Sequence, residues 1–185
     1  MTFSPCSIEG LWKIDLAPRS DERGWLVRTF CEQAFAGQGL NVHWPQASST
    51  RTRLRGTIRG MHWQAQPAPE TKLLRCTRGS IWDVIVDVRP SSPTFGRWLA
   101  FELCEDSHRQ LYIPAGCAHG FQALTDDVEL NYLMSAPYEP SLARGVRWDD
   151  PTLAISWPLP PVLVSARDQS LPFLHEVEGN PTLPG

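Results

Sequence analysis

The 185-residue chain carries a formal net charge of −3, with 42% hydrophobic and 20% charged residues, 17 prolines and 13 glycines. That composition excludes disorder throughout and describes a turn-rich globular protein sized for one domain, taken here as residues 1–185. Lysines and arginines are spread along the sequence, so no footprint for nucleic acid is present, and no apolar run is long enough for a membrane.

The opening MTFSPCSIEG has no basic stretch followed by an apolar run, so a cytoplasmic protein is expected. Cys6, Cys31, Cys76, Cys104 and Cys117 are odd in number and widely spaced, which reads as reduced thiols rather than a disulfide framework. Nothing beside Cys117 predicts an activated thiol. EQAFAGQGL, residues 32–40, predicts a short peripheral helix stopped by Gly37 and Gly39. From about Lys72 to Ser135 short strands alternate with turn signals.

In SIWDVIVDV, Trp82, Val84, Val86 and Val88 form one face, and Ile81, Asp83, Ile85 and Asp87 the other. The mixed face suits a solvated sheet surface, the plainer reading, or the polar lining of a barrel mouth. WLAFEL and QLYIP follow as further strands, and the whole run predicts a sandwich or jelly-roll barrel. In VELNYLM, Val128, Leu130, Tyr132 and Met134 share a face predicted to point inward. Beyond Trp157 the prolines argue against a central strand and for an extended arm, and the last ten residues are expected to fray.

PAGCAH, Pro114 to His119, offers a tight turn and then a histidine, and it looks like the second signature of the cupin barrels. The first cupin signature clusters metal ligands, but in RGMHWQAQPAPE only His62 stands, with Gln64 where a second histidine would be and Glu70 beyond. His62, Glu70 and His119 keep a metal-dependent cupin oxygenase or isomerase open as an alternative. By spacing alone, Tyr132 reads at least as readily as a core tyrosine, and His62 as a satisfied interior histidine.

The strings RGTIRGMHWQ, KLLRCTRGSIWDVIVDVRPSSPTFG, RQLYIPAGCAHGFQAL, ELNYLMS and RGVRWDDPTLAISWP carry a more specific likeness. In this order the sequence resembles the dTDP-4-dehydrorhamnose 3,5-epimerases. The resemblance implies an all-β, cupin-type jelly-roll barrel with short peripheral helices and an extended C-terminal arm. It also implies an enzyme without metal or cofactor, usually a homodimer. Such an enzyme inverts C3, C5 or both beside the 4-keto group of a nucleotide-linked hexose, expected here to be dTDP-4-keto-6-deoxyglucose.

By the same resemblance His62 is the base, Tyr132 the acid and Asp168 the partner of the base. Lys72 and His119 contact the keto group and the sugar, Arg23 and Arg59 the diphosphate. Gln46 and Ser48 contact substrate, and Tyr138 stacks on the nucleotide base. The chemistry is coherent, because a carbon beside a ketone is acidic only when the enolate oxygen is stabilised. Asp83, on the mixed strand face, is a candidate to orient His119. Strict alternation would put Arg59 and His62 on opposite faces, so a bulge at Gly60 is expected.

Arg28, Ala143, Ser48 and Pro137 depart from residues common in the family, the first two replacing glutamates that contact substrate. These departures leave the nucleotide and the details of its grip open, and the motifs do not resolve which centre is inverted. Eight tryptophans favour the homodimer. A non-catalytic sugar-nucleotide binding module would need the arginines but not His62, Tyr132 and Asp168.

Overall fold

The computed structural model describes residues 1–177, so most of the segment expected to fray lies outside the described residues. In chain order the strands are β1 (Thr2–Pro5), β2 (Trp12–Asp15), β3 (Arg19–Asp21), β4 (Gly24–Leu26), β5 (Gln46–Thr52), β6 (Thr57–Gln64) and β7 (Lys72–Arg78). They continue as β8 (Ser80–Asp87), β9 (Trp98–Cys104), β10 (Arg109–Ile113), β11 (Cys117–Ala123), β12 (Val128–Met134), β13 (Ala143–Gly145) and β14 (Leu163–Val164). Two short helices are peripheral, α1 (Glu32–Ala36) and α2 (Ala166–Gln169). The predicted helix at 32–40 is α1, and it ends where Gly37 begins.

Two sheets face each other. One runs β1-β2-β10-β7-β12-β5, the other β13-β6-β11-β8-β9 with β14 added beside β6, while β3 and β4 form a separate hairpin. Alternating residues of both sheets meet in a shared interior, where Leu74, Leu111 and Leu130 of the first sheet pack with Ile81, Ile85 and Phe121 of the second.

The mixed face of β8 is this interior. Ile81, Asp83, Ile85 and Asp87 are all fully buried, which overturns the solvated reading. The opposite face of β8 is covered as well, since Val84, Val86 and Val88 lie under Val146, Leu153, Leu174 and Trp157 from the C-terminal third. The two aspartates are tolerated because each has partners. Asp87 accepts from the Arg89 guanidinium and from Ser92 and Thr94, and Asp83 pairs with His119.

The bulge expected in β6 is present. On β11, His119 pairs with His62 and Phe121 with Arg59, so two residues of β6, Gly60 and Met61, stand opposite the single Gly120. Gly60 has φ +119°, and a Cβ there would lie 2.5 Å from the Gly120 Cα and 2.8 Å from the His119 carbonyl oxygen. Only glycine fits so close a crossing, and the extra residue turns Arg59 and His62 to the same side.

The proline-rich arm is tied to the barrel rather than loose. The Gln122 side chain exchanges hydrogen bonds with the Leu159 backbone, and Val162 N–H donates to the Gly56 carbonyl. Leu163 and Val164 then pair parallel to Thr57 and Ile58 of β6. Ser165 caps α2 by accepting from Asp168 N–H at 3.1 Å, which delivers the Asp168 side chain beneath β6.

Candidate active site

A cavity of about 710 Å³ opens at one end between the sheets. It gathers residues far apart in sequence: His62 and Arg59 from β6, Lys72 from β7, His119 from β11, Tyr132 from β12 and Asp168 from α2. Gln46 and Ser48 of β5 line it together with Tyr138.

His62 Nε2 lies 2.7 Å from Asp168 Oδ1, and Asp168 Oδ2 accepts the Gly60 N–H at 3.1 Å. Burial pushes the Asp168 carboxyl up, but the hydrogen bond and charge of His62, with the Gly60 N–H, hold it below the usual carboxylate value. His119 Nε2 lies 2.7 Å from Asp83 Oδ1. Here burial wins and the Asp83 carboxyl is raised, despite His119 and the positive charge of Lys72. Asp83 lies behind His119 and does not line the cavity, so it is placed to orient His119 and not to touch the substrate itself.

Tyr132 projects from the opposite sheet to His62, with its ring edge-on to His119 at a centroid distance of 6.1 Å. Burial pushes the phenol well above its ordinary value, and the charge of Asp83 adds to this while the Thr50 hydroxyl and Arg59 oppose it. The phenol therefore stays protonated at neutral pH and is available as a donor. Arg59 is held by uncharged groups, Nε donating to Thr52 Oγ1 at 3.0 Å and Nη2 to the Arg51 carbonyl at 3.1 Å. No carboxylate in these contacts cancels its charge.

Arg23 is not brought to the cavity of its own chain. It stands at the tip of the β3–β4 hairpin, its side chain 83% exposed and paired with Asp21 at 2.6 Å. No residue of this hairpin lines the cavity, and its Trp25 ring packs edge-on to His108.

Gln64 does not point into the cavity with His62. Its amide donates to the Ala68 and Pro137 carbonyls and accepts from Glu139 N–H, while Gln46 Oε1 accepts from Tyr138 N–H. The residue in the place of a second histidine thus braces the loop on which Tyr138 sits, and Pro137 takes part in that brace. Among the described residues no group of three or more histidine, cysteine, aspartate and glutamate side chains is arranged to hold a metal ion. Cys117 is buried, and burial pushes its thiol up to about 12, away from the thiolate form.

Residue-by-residue reading missed Thr50, Leu163, Ser165 and Arg167, all of which line the cavity. Thr50 follows Gln46 and Ser48 at strand alternation, a signal present in QASST. Arg167 directly precedes Asp168, so it was within reach, whereas Leu163 and Ser165 depend on where the arm docks.

Known proteins match the chain along nearly its whole length. The family pattern described as dTDP-4-dehydrorhamnose 3,5-epimerase matches residues 5–176. A dTDP-4-dehydrorhamnose 3,5-epimerase of Sinorhizobium fredii is 39% identical over 178 residues, 96% of this chain and 91% of the relative. A dTDP-4-dehydrorhamnose 3-epimerase of Streptomyces niveus is 38% identical over 185 residues, 100% of this chain and 89% of the relative.

Among solved structures, NovW, a 4-keto-6-deoxy sugar epimerase from the novobiocin biosynthetic gene cluster of Streptomyces spheroides, superposes with a TM-score of 0.92 at 38% identity. The match covers 95% of this chain and 88% of NovW. With sequence likeness along nearly its whole length and the same fold around the cavity, the chain belongs to the dTDP-4-dehydrorhamnose 3,5-epimerase family, a family of isomerases.

Proposed function

We propose that the cavity binds a dTDP-linked 4-keto-6-deoxyhexose and that His62 takes the proton from a carbon next to the ketone. The electron pair of the broken C–H bond moves onto the keto oxygen, where Lys72 and His119 stabilise the enolate. Tyr132 gives its proton to the opposite face of the same carbon, so the centre is inverted. The imidazolium then loses a proton to solvent and the phenolate regains one. Asp168 holds His62 in one tautomer and supports the charge it acquires.

The observation that carries this reading is the approach of His62 and Tyr132 to one cavity from opposite sheets. Inversion needs two proton carriers on two faces of a sugar, and a binding module needs neither. Arg59 and Arg167 supply charge for the diphosphate, and Tyr138 a ring for the base. In this reading Arg23 serves a second copy of the chain. The hairpin that bears it also exposes Trp25 and Leu26, at 53% and 73%. Sedimentation should therefore show a dimer, and a stable monomer with full turnover would remove both the dimer and the role of Arg23.

Proton NMR of dTDP-4-keto-6-deoxyglucose in deuterium oxide tests the chemistry. Deuterium entering at C3, C5 or both supports the reading and counts the centres. Absence of exchange with every nucleotide-linked 4-keto sugar offered would overturn it.

A further inference from the structure

Glu70 lines the cavity, and the epimerisation derived above does not use it. It lies two residues before Lys72, the first residue of β7, and both side chains line the cavity. Thr71 between them is pinned to Ser135 in both directions, its N–H donating to Ser135 Oγ at 2.7 Å and its carbonyl accepting Ser135 N–H at 3.0 Å. Lys72 Nζ lies 3.1 Å from Glu70 Oε1, with the two side chains only 13% and 11% exposed. The same ammonium donates to the His62 carbonyl at 3.4 Å.

An ammonium has three donors and no acceptor, and two directions are thus taken. We propose that Glu70 is a positioning residue: with the His62 carbonyl it fixes the Lys72 ammonium so that its third N–H is aimed at the keto oxygen. Lysine is a point charge on a flexible stem, and a stem free to swing would share its time between substrate and water. One of the two anchors is the backbone of the proposed base, so the oxygen's donor and the carbon's base are set relative to each other. The carboxylate offsets part of the ammonium's field, and the gain is direction rather than charge. This inference rests on the proposed function.

The test compares wild type, Glu70→Ala, Glu70→Gln, Lys72→Met and the double variant Glu70→Ala with Lys72→Met. Folding is checked by circular dichroism, and turnover is followed with the nucleotide-linked 4-keto sugar on which wild type is active. Glu70→Ala should lose roughly 10- to 100-fold in kcat, with KM changed by less than about threefold, as expected for a misaimed group.

Glu70→Gln keeps an acceptor oxygen and should recover most of that loss. In the Lys72→Met background, Glu70→Ala should cost nothing further. A similar loss in that background would mean a structural role and overturn the inference. So would a raised KM at unchanged kcat, which marks direct contact with substrate, or a Glu70→Gln variant as slow as Glu70→Ala. If wild type itself exchanges no protons on any such sugar, the proposed function fails first, before any variant is compared.

Discussion

Two histidine–aspartate pairs with the same 2.7 Å separation each turn an imidazole to one cavity, and their surroundings make them different devices. In the first, the His62 side chain is 35% exposed, and its aspartate has both oxygens engaged, one by the imidazole and one by the Gly60 N–H. That carboxyl is held below its ordinary value, so it can carry negative charge while the imidazole gains a proton. In the second, both side chains are buried, Asp83 Oδ2 has no hydrogen-bond partner among the described residues, and burial raises the carboxyl. A buried carboxyl favoured in its neutral form is poorly suited to support a positive charge gained by its imidazole. The pair distance is therefore uninformative by itself. Under the proposed function, what lies on the far side of each aspartate separates a proton carrier from a fixed donor.

The largest expected effect tests that separation directly. His62→Ala and Tyr132→Phe should each lower turnover by roughly 10²-fold or more with the fold intact, since a positioned acid or base contributes about that much. His119→Ala should cost less, because the Lys72 ammonium still faces the enolate oxygen. Steady-state rates beside circular dichroism decide it, and a His119→Ala variant slower than His62→Ala would invert the roles of the two pairs.

Much of this contrast was legible in the sequence. Alternation in VELNYLM put Tyr132 inside, and the clash between alternation and chemistry at Arg59 and His62 called for the bulge that Gly60 supplies. The face of β8 was misjudged. Two aspartates among isoleucines look solvated until the partners of Asp83 and Asp87 are known, and those come from β11 and from the loop that follows β8. The delivery of Asp168 was legible only through the family likeness, because a proline-rich arm gives no periodicity. Its docking depends on Gln122, Gly56 and the two-residue strand β14. The distance of Arg23 from the cavity was not legible either, since a short hairpin at 19–26 carries no signal for what it packs against.

The aspartates themselves sharpen the comparison at intermediate magnitude. Asparagine at 168 can offer its amide N–H to the imidazole, which forces the wrong tautomer and removes the base while leaving the geometry nearly unchanged. Asp168→Asn should lose roughly 10²-fold in kcat. Asp83→Asn touches only the orientation of a donor and should lose about 10-fold, with KM rising alongside. Equal losses would mean that both pairs transfer protons.

The smallest effect is on stability and differs in sign between the pairs. Asp168 is held below the ordinary carboxylate value of about 3.9, so just below that pH the unfolded chain binds more protons at this residue than the folded one. Its contribution is complete above about pH 4 and fades as acid titrates the folded carboxylate. Asp83 is raised, so above about pH 4 the folded chain holds the extra proton and stability falls with rising pH until the folded group ionises.

Denaturant midpoints measured between about pH 2 and 7 should separate the two. The stability advantage of wild type over Asp168→Asn should grow on going up from acid and then level off. Its standing relative to Asp83→Asn should decline with pH above about 4. Parallel curves for the two variants would show that the unpaired oxygen of Asp83 costs nothing. The distinction between carrier and donor would then have to come from exposure of the imidazoles alone.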